Sequence, residues 1–136
     1  MAKGKAKPYP AVLLELMASK TALLMKARTF ADMGMAETVQ PMWAVAASLE
    51  EQIAPLLDLL GRDLEAAASR ISAASCYQKG GDLSRAANLY QAALAAPLRA
   101  NTRRDVEVML AGCLDELSRT ALNGSSRSEG KVPAGT

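Results

Sequence analysis

This chain of 136 residues has no histidine, only 4% aromatic residues and two cysteines. Without imidazole, Ser-His-Asp hydrolysis, His-ligated metals and histidine acid–base steps are excluded, because no other side chain supplies that group near neutral pH. Cys76 and Cys113 stand 37 residues apart with no C-x-x-C neighbour. They read as small buried hydrophobes in a reducing compartment rather than as a disulfide. The longest uncharged runs, Thr38 to Leu49 and Ala86 to Leu98, are 12 and 13 residues, whereas a membrane span needs roughly 20. The opening MAKGKAKPYP has the charge of a signal n-region, but Glu15, Ser19 and Lys20 interrupt the apolar stretch after it, so that stretch reads as an amphipathic helix. A cytoplasmic protein without a membrane partner is expected.

Alanine supplies 27 positions and leucine 19. So many strong helix formers, with so few β-branched and aromatic residues, predict an all-α fold. The formal charge of +2 misleads until it is divided by region. Lys3, Lys5, Lys7, Arg127 and Lys131 against Glu129 give the two ends +4, leaving 11 bases and 13 acids in residues 11–123. The packed part is therefore mildly acidic. That argues against nucleic acid as the partner, although Lys3, Lys5 and Lys7 on an arm, or Arg99, Arg103 and Arg104, could touch phosphates.

Apolar spacing of three and four residues predicts a first helix over about 11–34 and a second over about 36–60 ending at Gly61. Pro55 inside the second predicts a kink or short break after Ile53. Asp63 is the expected N-cap of a third helix stopped by Gly80 and Gly81, and Asp82 that of a fourth ending near Ala96, before Pro97. Thr102 with Asp105 resembles a capping box opening a fifth. Residues 1–9 are expected as a flexible basic arm, 10–122 as a five-helix antiparallel array, and 123–136 as a disordered tail rich in Gly and Ser.

Within that array Ala74, Tyr77, Gly81, Ala86, Tyr90, Ala93 and Leu94 follow one another at spacings that resemble the tetratricopeptide repeat over about 67–100. Small Ala74 and Ala86 let helices approach, Gly81 permits the turn, and the tyrosines fill the space beside them. A degenerate copy over about 20–53 carries Ala27, Phe30 and Gly34, then Trp43 and Ala46. The two signatures are 47 residues apart against a family period of about 34, and Val39 stands where Ala is usual. Hairpins of the MIT class and a plain bundle share the local pattern.

The resemblance implies a concave groove for a peptide or helix of a partner protein, lined by Leu24, Arg28 and Asp32 from the degenerate repeat and by Ile71, Ser75, Gln78 and Lys79 from the better one. The Lys and Asn set of the family's carboxylate clamp is absent. Glu50 with Glu51, Asp58, Asp63 with Glu65, and Asp115 with Glu116 read as solvated faces or caps, since charged residues are rarely buried unless paired. A His-free chain cannot supply the Glu-x-x-His motifs of a di-iron bundle. Gly80-Gly81-Asp82 lacks the further Gly and the Lys of a phosphate loop. No catalytic residue, metal or cofactor is therefore expected. The expected role is a non-catalytic adaptor or small chaperone. The alternatives are a structural homo-oligomer and a nucleic-acid-associated protein using the Lys-rich arm.

Overall fold

The computed structural model describes residues 7–135, with side chains described through residue 123. Residues 1–6 of the expected arm, Lys3 and Lys5 among them, lie outside the described residues. The fold is all-helical: α1 Ala11–Asp32, α2 Ala36–Leu59, α3 Asp63–Lys79, α4 Leu83–Leu94 and α5 Ala100–Gly135. α5 thus takes in the stretch expected as a tail, whose side chains lie outside those described. Each helix packs chiefly on its neighbour in the chain. No helix among the described residues is long and apolar enough to cross a membrane.

The first three connections are the same device used three times. Gly34, Gly61 and Gly81 have φ of +78°, +74° and +90°, a backbone region from which a Cβ is largely excluded. In each turn the glycine N–H bonds back three residues, to Ala31, Asp58 and Gln78, at 3.0–3.1 Å. The next N–H bonds back five: Met35 to Phe30, Arg62 to Leu57 and Asp82 to Tyr77, at 2.8–3.0 Å. These are Schellman closures, which satisfy the last carbonyls of one helix within the turn itself. The next helix can then start two residues beyond the glycine.

Three local expectations change. α2 runs through Pro55 without a break. Proline there removes one N–H, while Ile53, Ala54 and Leu57 around it are fully buried, and that packing holds the helix together. Arg62, not Asp63, is the N-cap of α3, and Asp63 lies in the first turn, where a carboxylate still complements the helix dipole. α5 begins before Thr102, so Thr102 and Asp105 form no capping box. Instead Arg103 ties the turn down, donating through its backbone N–H to the Arg99 carbonyl at 2.8 Å and through its guanidinium to the Leu94 and Ala96 carbonyls at 2.9 and 2.8 Å. Asp82 does cap α4, its Oδ1 accepting from the Arg85 N–H at 3.2 Å.

The larger core joins Ala27, Val39, Trp43, Ala46, Ala47, Ala73, Ala74, Ala86, Ala87, Val106 and Cys113 with both core tyrosines, Tyr77 and Tyr90. A smaller one gathers Leu13, Ile53, Ala54, Leu57 and Ala66. Cys76 and Cys113 are both buried and free. Tyr90 is the largest fully buried side chain, its hydroxyl donating to Gln78 Oε1 at 2.9 Å. Burial pushes its phenol up to about 12. Tyr90→Ala is expected to cost about 3–5 kcal/mol in urea unfolding, the range for deleting a core aromatic; a loss below about 1 kcal/mol would place it outside the core. Gly81→Ala, which must hold a positive φ, is expected to lower stability by roughly 1 kcal/mol in the same measurement.

Candidate functional site

Helix α3 is the centre of the molecule, and its register shows which surface is left open. Ser69, Ser72 and Cys76, at helical spacing, face α1 and α2: the two hydroxyls adjoin Glu50, and the charges of Lys20 and Arg28 reach the Cys76 thiol. Another side carries Gln78, held by Tyr90 of α4. Between these two sides runs a stripe of Leu64, Ala68, Ile71, Ser75 and Lys79, spaced four, three, four and four residues. At 1.5 Å per residue it extends about 22 Å.

The stripe has a cavity near each end. Toward its start Leu64, Ala68 and Ile71 meet Leu98, Arg99 and Thr102 around a space of about 320 Å³. Leu64 is 50% exposed there, and Ile71 is half-buried. At its far end Lys79 joins Ala31, Gly34, Ala36, Val39, Gln40 and Trp43 around about 400 Å³. The Lys79 ammonium stands 4.6 Å over the Trp43 ring, where the negative ring face attracts a cation. Gln40 Nε2 donates to the Gly80 carbonyl at 3.2 Å, tying α2 to the end of α3.

The expected groove residues distribute unevenly over this surface. Ile71 and Lys79 lie on the stripe in different cavities, and half-buried Ser75 lies between them. Leu24 is half-buried and packs on the same core as Ile71. Arg28 and Asp32 are exposed on α1, and Arg28 is the one whose charge reaches Cys76. Gln78 borders a third cavity of about 430 Å³ with Glu116, Leu117 and Thr120 of α5, apart from the other two. Leu64 and Ala68 were missed, although stepping back from Ile71 by three and seven residues finds both. Leu98, Arg99 and Thr102 come from across the Pro97 turn, and no local spacing signals them.

Glu50 departs most from expectation. It is 2% exposed rather than solvated, 3.5 Å from Lys20 Nζ. Its Oε1 has no hydrogen-bond partner among the described residues. Burial raises its carboxyl above the ordinary range, against the opposing pull of Lys20 and the Ser69 and Ser72 hydroxyls. Four of the other candidate acids have definite partners. Asp58 pairs with Arg70 at 2.7 Å and Asp115 with Arg119 at 3.1 Å. Glu51 accepts from the Tyr77 hydroxyl, and Arg85 lies over that ring at 5.4 Å. Glu65 accepts from Tyr9 and Arg62, which hold its carboxyl below the ordinary range. Arg62 also lies 4.4 Å over the Tyr9 ring and donates to the Lys7 carbonyl at 2.9 Å, fastening the approach to α1 onto the start of α3.

No group of three or more acidic or cysteine side chains among the described residues could hold a metal ion. The chain matches no protein-family model, and no curated protein or solved structure is significantly similar to it.

Because Glu50 binds its proton more tightly folded than unfolded, the native state gains stability as pH falls toward the ordinary carboxyl value of 4.5 and loses it as pH rises through the folded value. Measured by urea midpoints, the stability of the wild type relative to Glu50→Gln should be greater at pH 5 than at pH 7; a pH-independent difference would remove the burial effect. Lys20→Ala, which leaves the carboxylate without its counter-charge, should cost about 2–3 kcal/mol at pH 7.

Proposed function

We propose that this protein is a non-catalytic interaction module, an adaptor or small chaperone, built of stacked helical hairpins similar to tetratricopeptide repeats. It takes a peptide or helix of a partner protein along the open stripe of α3. The observation that carries this reading is the stripe itself: Leu64 and Ile71 border one apolar cavity with Leu98, on a helix that packs against α2 and α4. Exposed apolar side chains around a concavity are what a segment-binding groove needs. The three matching glycine closures support repeated hairpins, since the same turn used three times brings successive helices back against one another. The side chains of the stripe suit binding: Ser75 and Lys79 offer polar contacts to a segment whose apolar residues enter the cavity.

The full chain immobilised on a resin, and its Leu64→Asp variant, should be compared for the proteins each retains, quantified by mass spectrometry. A charge placed in an apolar cavity costs several-fold to a hundredfold in affinity, so a reproducible subset should be lost from the variant by tenfold or more. Identical retention would refute the groove. Leu64 is half exposed, so the substitution leaves the fold intact, and a circular-dichroism melt verifies this.

A second reading is self-association, favoured by Val108, Leu114 and Leu122, all exposed on α5. It predicts an elution volume that shifts with protein concentration, and a concentration-independent monomer eliminates it.

A further inference from the structure

The charges around the stripe specify more than an apolar groove. Of the residues bordering the Leu64–Ile71 cavity only Arg99 is charged; of those bordering the Trp43 cavity only Lys79 is. Neither makes an ion pair among the described residues, and neither does Arg28, which stands on α1 close enough to Cys76 to act on the same thiol as Lys79. Elsewhere on the molecule Lys20, Arg62, Arg70, Arg85 and Arg119 are each matched by an acid of this chain, while Lys26 and Arg104 line neither cavity and make no ion pair among the described residues. The third cavity, away from the stripe, has the opposite sign: Asp82 and Glu116 border it and no base does. Asp32, exposed as the last residue of α1, and exposed Glu37 adjoin the lining residues Ala31 and Ala36 in the chain, but neither borders the Lys79 cavity. Cations thus mark both ends of the open face in a chain whose packed part is net acidic.

Lys79 is also held in place. Its ammonium is seated on the Trp43 ring at 4.6 Å, which lowers the freedom that an exposed lysine would otherwise lose on pairing with a ligand carboxylate. Arg99 is placed by the Arg103 clamp on the turn that carries it.

We infer that the segment bound along α3 is acidic. It places a large apolar side chain in the cavity bordered by Leu64, Ile71 and Leu98, with one carboxylate at Arg99 and another at Lys79 and Arg28. This rests on the groove reading above and adds the partner's chemistry. The middle of the first cavity, near Ala68, is eleven residues along the helix from Lys79, about 16 Å. An extended chain covers that distance in about five residues. The recognised sequence is therefore a short segment with two acidic positions about five residues apart and an apolar residue beside the first.

A display library of random twelve-residue peptides, selected against the full chain, tests this directly, with the selected peptides synthesised and titrated by fluorescence anisotropy. Selected peptides should be enriched in Asp and Glu, and should bind about tenfold or more weakly to the Arg28→Glu, Lys79→Glu double variant. They should also weaken several-fold between 0.05 and 0.5 M salt, since exposed charge pairs are screened. Selection against the Arg28→Glu, Lys79→Glu, Arg99→Glu triple variant should turn the enrichment toward Lys and Arg. Peptides that are neutral or basic, yet lose binding on Leu64→Asp, would overturn the acidic specificity while leaving the groove standing. Peptides indifferent to Leu64→Asp, or a library yielding no binder, would remove the groove and this inference with it. Circular dichroism of each variant separates lost recognition from lost fold.

Discussion

Close approach of helices across alanine faces is the constraint on which the remaining architecture depends. With one tryptophan, one phenylalanine and three tyrosines in the chain, large side chains cannot fill the space between helices. The interior is instead made from Ala46, Ala47, Ala66, Ala67, Ala73, Ala74, Ala86, Ala87 and Ala93, each nearly or wholly inaccessible. Methyl-sized side chains let backbones come together until dispersion contacts are dense. Few places remain for a large group in the larger core, and Trp43, Tyr77 and Tyr90 occupy them, while Leu13, Ile53 and Leu57 fill the smaller one. The same economy of volume brings short connections, the first three each closed by a glycine at positive φ.

A tightly packed array of this sort has little tolerance for polar groups, which makes the Lys20–Glu50 pair informative. Lys20 interrupts the apolar face of α1, and Glu50 is an acid within the buried face of α2. Each is an anomaly alone, and the two meet at 3.5 Å with Ser69 and Ser72 of α3 beside them. A buried pair contributes little net stability, because desolvation offsets much of its Coulomb attraction. What it imposes is register: sliding α1 by one turn would separate the charges and leave the carboxylate buried alone. The polar cluster thus fixes how α1, α2 and α3 align, while the alanines fix how close they come.

The parts legible in the sequence share a physical character. Helix positions, the glycine stops at Gly34, Gly61 and Gly81, the Asp82 cap, and the burial of Ala74, Ala86, Tyr77 and Tyr90 all follow from local spacing. Interactions between residues three or four apart, or within one turn, do not depend on the rest of the fold. Expectations went astray where a distant neighbour decides the outcome. Pro55 does not break α2 because Ile53, Ala54 and Leu57 are held by other helices. Thr102 gives way to an earlier start because Arg103 reaches back across the turn. Glu50 is interior because Lys20, thirty residues earlier, comes to meet it. The expected groove residues divide in the same way: Ile71, Ser75 and Lys79 share a face by helical spacing, whereas Gln78 is drawn aside by Tyr90.

Helix-forming composition and turn chemistry are properties of the chain alone, and they determined that the described residues are all-helical. Only the tertiary structure decided which face of α3 stays open, that Arg99 from beyond Pro97 borders it, and that the charge of Arg28 on α1 reaches Cys76 of α3. The physical reason is that helical periodicity records which residues share a side of one helix, while the distance between charges on different helices depends on how those helices pack.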